Sequence, residues 1–321
     1  MISVIAPIHN EAGTIAELHR RVAAALADQG DYEIVLVDDG STDDSWDRML
    51  ELVRNDPHVR LLRLSRNFGH QAALTAGLDA SRGDAVVLMD ADLQDPPELI
   101  PTLVAKWREG YDVVYGLRTG REGETRFKVW TAAVFYRILR GMTRVEIPAD
   151  AGDFRLLSRR AVDSLARMPE RARFLRGMTS WLGYPQVGVQ YQRDARHSGE
   201  TKFPTRRMIG FALDAITSFS TTPIRIVTGV GFLFVVFCAG VFGWAVYIKV
   251  FTNTAVAGWT SVLIVVLLLG GMQLVALGII GQYVARIFEE AKQRPLYLVG
   301  EIVEGDAVTD PAPTTPATRA I

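Results

Sequence analysis

Two long uncharged runs near the C-terminus constrain this chain more than any other feature. Ile226 to Ile248 contains no charged residue, and neither does Ala255 to Ala285; each exceeds the roughly 20 residues that cross a bilayer's hydrocarbon core. Gly229, Gly231, Gly240, Gly243, Gly270, Gly271, Gly278 and Gly281 lie inside them, and small residues let membrane helices approach closely. Two buried core helices of a soluble protein are the plainer alternative, but runs of this length favour two transmembrane helices, at about 226–248 and 258–284. Only the stretch around Val250 to Thr254 separates them, so they form a hairpin with both ends on one side. Arg206, Arg207 and Arg225 precede the pair while Arg286, Lys292 and Arg294 follow it. That bias puts the N-terminal domain and both termini in the cytosol, with the protein in the cytoplasmic (inner) membrane.

The remaining bulk properties exclude several classes. Met1 leads directly into an apolar strand with no basic leader region, so no secretory signal peptide is expected. The single cysteine, Cys238, lies within the first uncharged run; it allows no intrachain disulfide, and no Cys/His cluster offers a zinc site. A net charge of −1 gives no general pull on nucleic acid, and no nucleic-acid partner is expected.

Ahead of the spans, short β-type runs alternate with helical patterns. Ile2 to Pro7, Tyr32 to Val37, Val59 to Leu64, Ala85 to Met89 and Asp112 to Leu117 read as strands, and this alternation implies an α/β domain with a parallel sheet and crossover helices. Thr14 with Glu17 reads as a capping box for the first helix, and Ser41 to Ser45 supplies caps for the second. Four loops then fall at one edge of the sheet: Pro7-Ile8-His9-Asn10-Glu11, Asp38-Asp39-Gly40-Ser41, Arg66-Asn67-Phe68-Gly69, and Asp90-Ala91-Asp92. Open α/β sheets bind ligands at that edge.

The last loop carries the chemistry. Continued in extended form, Asp90 and Asp92 would point to the same side and could hold a magnesium or manganese ion through hard carboxylate oxygens. An ion there can neutralise a diphosphate leaving group. Asp38 and Asp39 can accept hydrogen bonds from ribose hydroxyls or a base N–H, with Asn10 and Glu11 lining the same pocket. On the acceptor side, the loop Arg196-His197-Ser198-Gly199-Glu200-Thr201-Lys202 can bring Arg196 and Lys202 onto a phosphate, joined by Arg118. Simple attraction to anionic lipid headgroups is the alternative for such a basic loop. A phosphomonoester acceptor is already largely ionised near neutral pH and needs no strong base. Asp153 can therefore orient the acceptor, act as a base, or merely form a buried salt bridge with Arg155 or a neighbour.

Two amphipathic stretches flank this chemistry: Phe127, Trp130, Val134 and Ile138 among arginines, and Met208 to Phe219 behind Arg206 and Arg207. The first fits either an anionic membrane surface or the sheet, and the second is read as a juxtamembrane helix. The domains expected are a cytosolic catalytic domain at 1–205, a juxtamembrane helix at 206–224, the spans within 225–287, and a cytosolic segment at 288–321 whose Pro- and Thr-rich tail is disordered from about 305.

With these residues in hand, the chain resembles glycosyltransferase family 2, in particular the polyprenyl-phosphate glycosyltransferases of the bactoprenol glucosyltransferase and dolichol-phosphate mannose synthase kind. The resemblance rests on Leu64-Ser65-Arg66-Asn67-Phe68-Gly69, Met89-Asp90-Ala91-Asp92-Leu93-Gln94-Asp95-Pro96-Pro97-Glu98, Gly152-Asp153-Phe154-Arg155-Leu156 and Arg196-x-x-Gly199-x-Thr201-Lys202, followed by the apolar pair. It implies a GT-A (Rossmann-like) fold, a UDP-sugar donor with glucose foremost, a Mg2+ or Mn2+ cofactor, and inverting transfer to undecaprenyl or a similar polyprenyl phosphate. By the same likeness Pro7, Asn10, Glu11, Asp38, Asp39 and Arg66 serve the nucleotide, and Asp90, Asp92 and Gln94 the metal and diphosphate. Asp153 falls to the acceptor side of the reaction centre, and Arg118, Arg196 and Lys202 to the lipid phosphate. The two-span hairpin is similar to the bactoprenol branch, which implies a homo-oligomer, a tetramer. His9 departs from the tyrosine common at its position. Two alternatives stand: a family-2 enzyme with another nucleotide sugar or a glycan acceptor, and a membrane-anchored nucleotide-sugar binder without turnover.

Overall fold

The computed structural model describes residues 1–118, 151–171, 173–192, 222–251, 258–305 and 307–309. Its first half alternates strand and helix: β1 (Ile2–Ile8), α1 (Ile15–Leu26), β2 (Tyr32–Asp38), α2 (Ser45–Asn55), β3 (Val59–Leu64), α3 (His70–Ala80), β4 (Ala85–Leu88), α4 (Ile100–Arg108) and β5 (Val113–Arg118). Then follow β6 (Ala151–Ser158), α5 (Arg159–Ala166), α6 (Leu175–Trp181), β7 (Gln186–Tyr191), two long helices α7 (Thr222–Phe251) and α8 (Trp259–Ala291), and the strands β8 (Val299–Glu304) and β9 (Ala307–Thr309). The five early strands fall within a residue of the sequence expectation at each end. Runs such as Val4, Ile5, Ile34, Val35, Leu36 and Val37 are fully shielded on both faces, as strands between two helical layers must be. In α1 the buried residues are Ile15, Leu18, Val22 and Leu26, an apolar stripe at helical spacing that turns to the sheet.

Among the described residues, nine strands join one sheet in the order β7-β5-β6-β4-β1-β2-β3-β8-β9. The chain runs outward from β1 to β3 on one side and places β4 on the other. The order therefore reverses between β1 and β4, the place where such sheets open a crevice at the carboxyl ends of their strands. The sheet is mixed, not purely parallel as the alternation alone implied. β6 runs antiparallel between β4 and β5, and β8 runs antiparallel to β3.

Three local expectations need correction or refinement. Thr14 is the N-cap of α1 but makes no side-chain cap; its hydroxyl donates to the Glu11 carbonyl at 3.0 Å instead, so the capping box is not formed. Asp44, the N-cap of α2, likewise makes no side-chain cap. Within the Ser41 to Ser45 stretch it is Asp43 that caps the start of α2, its Oδ1 accepting Ser45 N–H at 3.0 Å, while Ser41 Oγ accepts from Asn10 N at 3.1 Å and Ser45 Oγ from Glu11 N at 2.9 Å on the first loop. Order also extends beyond 305, because β9 pairs with β8 from Ala307 to Thr309.

The described residues fall into two compact units, and the stretch from Arg294 onward belongs with the N-terminal one, not with the apolar helices that precede it. Arg60 fixes it there, donating to Glu304 at 2.7 Å and to Glu33 at 3.1 Å, and Tyr297 donates to Asp79 at 2.7 Å. The second unit contains α7 and α8. Phe232, Leu233, Phe237 and Trp244 on one helix and Leu274, Leu277 and Ile287 on the other are exposed. Among the described residues one stretch, the 24 residues Leu268–Ala291, is long and apolar enough to cross a membrane, with mean hydropathy 1.6 over an 18-residue window; α7 contributes a shorter apolar stretch, Val227–Val241. The two amphipathic stretches expected around 127–138 and 208–219 lie outside the described residues.

Candidate active site

The four loops expected to converge do so: hydrogen bonds tie the first three together, and the His70–Asp90 ion pair joins the fourth. Asn10, in left-handed conformation at φ 56°, accepts Thr42 N–H at 2.8 Å through its side chain. Asn and Asp tolerate that backbone region best after glycine. Asp39 is buried, and its carboxylate accepts the backbone N–H groups of Phe68 at 2.7 Å and Gly69 at 2.9 Å. It thus shapes the loop after β3. Asp38 is fully buried; one carboxylate oxygen accepts Ser41 N–H at 3.0 Å, and the other has no hydrogen bond but lies 3.5 Å from Arg63 Nε. His9 Nδ1 sits 2.9 Å from the Asp39 carbonyl and its ring meets Asn67. Pro7 is buried in β1, Glu11 is partly exposed, and Arg66 lies over the Phe68 ring at 4.2 Å.

Asp90 and Asp92 do not sit on a strand. β4 ends at Leu88, and Leu93 takes φ 58° in the turn that follows, so two-residue alternation does not govern their directions. Asp92 accepts the Gln94 backbone N–H at 3.2 Å. Asp90 instead meets residues from other segments. The register Leu88↔Arg155 between β4 and antiparallel β6 carries Asp90 level with Asp153, two residues on in opposite directions. His70, the first residue of α3, lies between them, with Nε2 3.3 Å from Asp90 Oδ1 and 3.5 Å from Asp153 Oδ2. One ligating atom each from His70, Asp90 and Asp153 falls within 4.8 Å of the others, and Asp92 is not part of that trio.

The charges of this cluster are unequal. Burial, with the nearby carboxylates of Asp153, Asp95 and Asp92, pushes Asp90 up to about 6 against the His70 contact. Its Oδ1 is buried without a hydrogen-bond partner, while the side chain as a whole stays 25% exposed. A buried carboxylate oxygen with no hydrogen bond, grouped with His70 and Asp153, is a donor set that fits a divalent ion. Burial would raise Asp153 too, but contact with His70 and the paired guanidinium of Arg176, with the charge of Arg155, hold it well below the usual carboxylate range. Arg176 makes both bonds of a fork to it, at 2.7 and 3.0 Å. Arg155, deeply buried, is lowered to about 10 by desolvation against the pull of Asp153; it donates to the Gly152 carbonyl at 2.8 Å and to Thr179 Oγ1. His70 rises because its two carboxylate neighbours outweigh burial. A carboxylate so strongly held as an anion is a poor proton acceptor near neutral pH. Of the readings open for Asp153, the structure shows the buried salt bridge, and its partner is Arg176.

Arg118 reaches the same region, its guanidinium lying against Gly152, where a Cβ would come within 2.7 Å of NH2. Arg196 and Lys202 lie outside the described residues. Sequence reasoning did not single out His70, Arg176 or Tyr191. His70 directly follows the Asn67-Phe68-Gly69 motif, which was the available signal; nothing in the sequence links Arg176 or Tyr191 to a site so far away along the chain.

Residues 3–166 match the family model described as "Glycosyl transferase family 2". The chain belongs to glycosyltransferase family 2. It is 45% identical over 92% of its length to a Bacillus subtilis protein named uncharacterized glycosyltransferase YkcC, covering 92% of that protein. It is 41% identical to the uncharacterized glycosyltransferase sll0501 of Synechocystis sp., over 94% of this chain and 95% of that one. It is also similar to the bactoprenol glucosyl transferase of Shigella phage SfX, at 39% identity over 93% of this chain and 98% of the relative. Family membership and the mixed, Rossmann-like sheet together make the N-terminal unit a GT-A domain.

Proposed function

We propose that this family-2 enzyme transfers a sugar, glucose foremost, from a UDP-sugar to a polyprenyl phosphate such as undecaprenyl phosphate at the cytoplasmic membrane face. The observation that carries this reading is Asp90: a carboxylate with an unsatisfied buried oxygen at the carboxyl end of β4, beside a cluster of arginines, in a chain similar from end to end to bactoprenol glucosyl transferases. Asp90, with Asp92 and Gln94 in the same loop, would hold Mg2+ or Mn2+, which when bound supplies positive charge to the diphosphate leaving group. Asn10, Glu11 and Arg66 face the nucleotide, with Asp38 and Asp39 fixing the loops that surround it. Arg118, Arg196 and Lys202 gather the acceptor phosphate, whose ionised oxygen attacks the anomeric carbon as the bond to the diphosphate breaks, inverting the centre. Asp153 takes no proton; held by Arg176, it orients the acceptor side.

Topology supports two membrane crossings. The chain leaves the N-terminal unit before α7 and returns to pair β8 with β3, so the number of crossings between must be even. Among the described residues, helices α7 and α8 are the two available segments, and in this reading both ends are cytosolic. A homotetramer is the assembly that the family likeness supports.

The test is purified protein in detergent with undecaprenyl phosphate and a panel of radiolabelled nucleotide sugars. A lipid-linked product from UDP-glucose that releases its sugar in mild acid supports the reading, since a glycosyl phosphate is acid-labile. Label appearing only on a glycan, or nucleotide-sugar binding without UDP release, refutes it. A pH dependence follows from Asp90, whose carboxyl titrates at about 6. Below that pH a cation must displace a proton, so Mn2+ affinity falls about tenfold per unit; above it the competition ends and affinity levels off. Mn2+ binding followed by electron paramagnetic resonance from pH 5 to 8 reads this directly, and a flat profile contradicts it.

A further inference from the structure

Asp95 and Tyr191 have no role in the account so far, yet the fold goes to some length to bury them together. Asp95 is wholly buried although it lies only three residues beyond Asp92, in the loop after β4. The Tyr191 hydroxyl, from the end of β7, donates to Asp95 Oδ1, and Arg118 Nε donates to that hydroxyl at 3.2 Å. Arg118 NH2 lies 3.6 Å from the same Asp95 oxygen. Arg118 and Tyr191 are register partners at the ends of parallel β5 and β7.

Two glycines hollow out the space these side chains occupy. A Cβ on Gly116 would come within 2.6 Å of Tyr191 Cε1, and one on Gly152 within 2.7 Å of Arg118 NH2. Phe154 closes the other side of the tyrosine, edge to face at 5.9 Å between ring centres. Burial and the Asp95 charge raise the Tyr191 hydroxyl above its ordinary value, so it keeps its proton. A guanidinium is a rigid planar fork; once Nε is fixed and one face lies on a glycine, the direction of its remaining N–H donors is set. The Arg118 side chain stays 26% exposed, and its guanidinium lies against Gly152, the residue before Asp153.

We propose that Asp95 and Tyr191 are positioning residues: with Gly116 and Gly152 they form a socket that aims the Arg118 guanidinium at the acceptor phosphate. The proposal rests on the reading of Arg118 as an acceptor ligand. It also explains the glycine of the Gly152-Asp153-Phe154 motif, which leaves room for the arginine beside the orienting aspartate. Because Asp95 belongs to the loop that carries Asp90 and Asp92, the socket couples the geometry of the donor side to that of the acceptor side.

The experiment uses the full-length protein with UDP-glucose and undecaprenyl phosphate. Tyr191→Phe keeps the ring between Gly116 and Phe154 and removes only the hydroxyl. The expected result is an acceptor KM raised about tenfold, the size of one lost charge-assisted hydrogen bond, with the donor KM within about twofold and a melting temperature lowered by a few degrees because buried Asp95 loses a donor. Gly152→Ala, which displaces the guanidinium, should raise the acceptor KM similarly but add nothing in an Arg118→Ala background. If Arg118→Ala raises the acceptor KM while Tyr191→Phe and Gly152→Ala do not, or if Tyr191→Phe raises both KM values together, the socket is overturned. If Arg118→Ala itself leaves the acceptor KM unchanged, the underlying reading of Arg118 fails.

Discussion

Asp90→Asn abolishes sugar transfer, lowering kcat by about 10³-fold or more, while leaving the ligand-free protein at least as stable as its parent. Both halves follow from one observation. The Asp90 Oδ1 atom is buried with no hydrogen bond, and its carboxyl titrates at about 6 because burial and its acidic neighbours disfavour the charge. The folded pKa is raised above the unfolded value, so Asp90 costs stability wherever it is ionised, and that cost grows as pH rises from near 4 through about 6. Asparagine has nearly the same shape without the charge. It relieves the cost and removes the cation's seat, so activity and stability move in opposite directions, as expected where a strained charge serves function. Circular dichroism melts and initial rates at pH 7.5 with saturating Mn2+ read the two quantities. A variant that loses stability along with activity would make Asp90 a structural residue.

Arg176→Ala should destabilise the N-terminal unit by roughly 2–3 kcal/mol, less than the roughly 3–5 kcal/mol that breaking a fully buried ion pair costs, because the Arg176 side chain is 26% exposed while Asp153 is 11% exposed. The fork at 2.7 and 3.0 Å is lost, and Asp153 is left to His70 and Arg155. Asp153→Asn acts on the same network from the other side, leaving the buried Arg155 without its compensating charge. The sign with pH is opposite to that of Asp90. The folded pKa of Asp153 is depressed well below its ordinary value, so its contribution is complete above that ordinary value and is lost only as pH falls through the folded one. The carboxylate's own part of the stability gap between the parent and Asp153→Asn therefore closes only in stronger acid, while the part it contributes by raising His70 is present where that imidazole is protonated and fades as pH rises through its raised value. The activity of Asp153→Asn falls by the same factor from pH 5 to 8; an activity loss confined to one limb of the pH–rate profile would restore Asp153 as a proton acceptor.

How much of this was legible in the sequence depended on whether the information was local. Ile2–Ile8, Tyr32–Asp38 and Val59–Leu64 announce themselves as apolar β-type runs between turn residues, and their order alone puts Asn10, Asp39 and Asp90 at one edge. The reversal of β6 was not readable, because a strand's direction depends on pairing with distant residues; that reversal is what brings Asp153 opposite Asp90. The expectation that Asp90 and Asp92 share a strand face failed for a local reason, the end of β4 at Leu88 and the left-handed Leu93. Thr14 and Glu17 matched a capping pattern, but the Glu11 carbonyl was within reach of the Thr14 hydroxyl and took it. Residues 299–304 were hidden by the Pro-rich composition that follows them; yet Glu301, Val303 and Glu304 pair with β3 and return the chain to the N-terminal sheet.

The most direct test is the anomalous scattering of Mn2+ in crystals grown with UDP. The account requires a peak within about 2.0–2.3 Å of an Asp90 carboxylate oxygen, the range of hard-cation oxygen coordination, with the diphosphate on its other side and Arg118 facing the space beyond. A manganese peak remote from Asp90, or UDP bound at the β1–β4 edge with Asp90 turned away from it, would contradict the account.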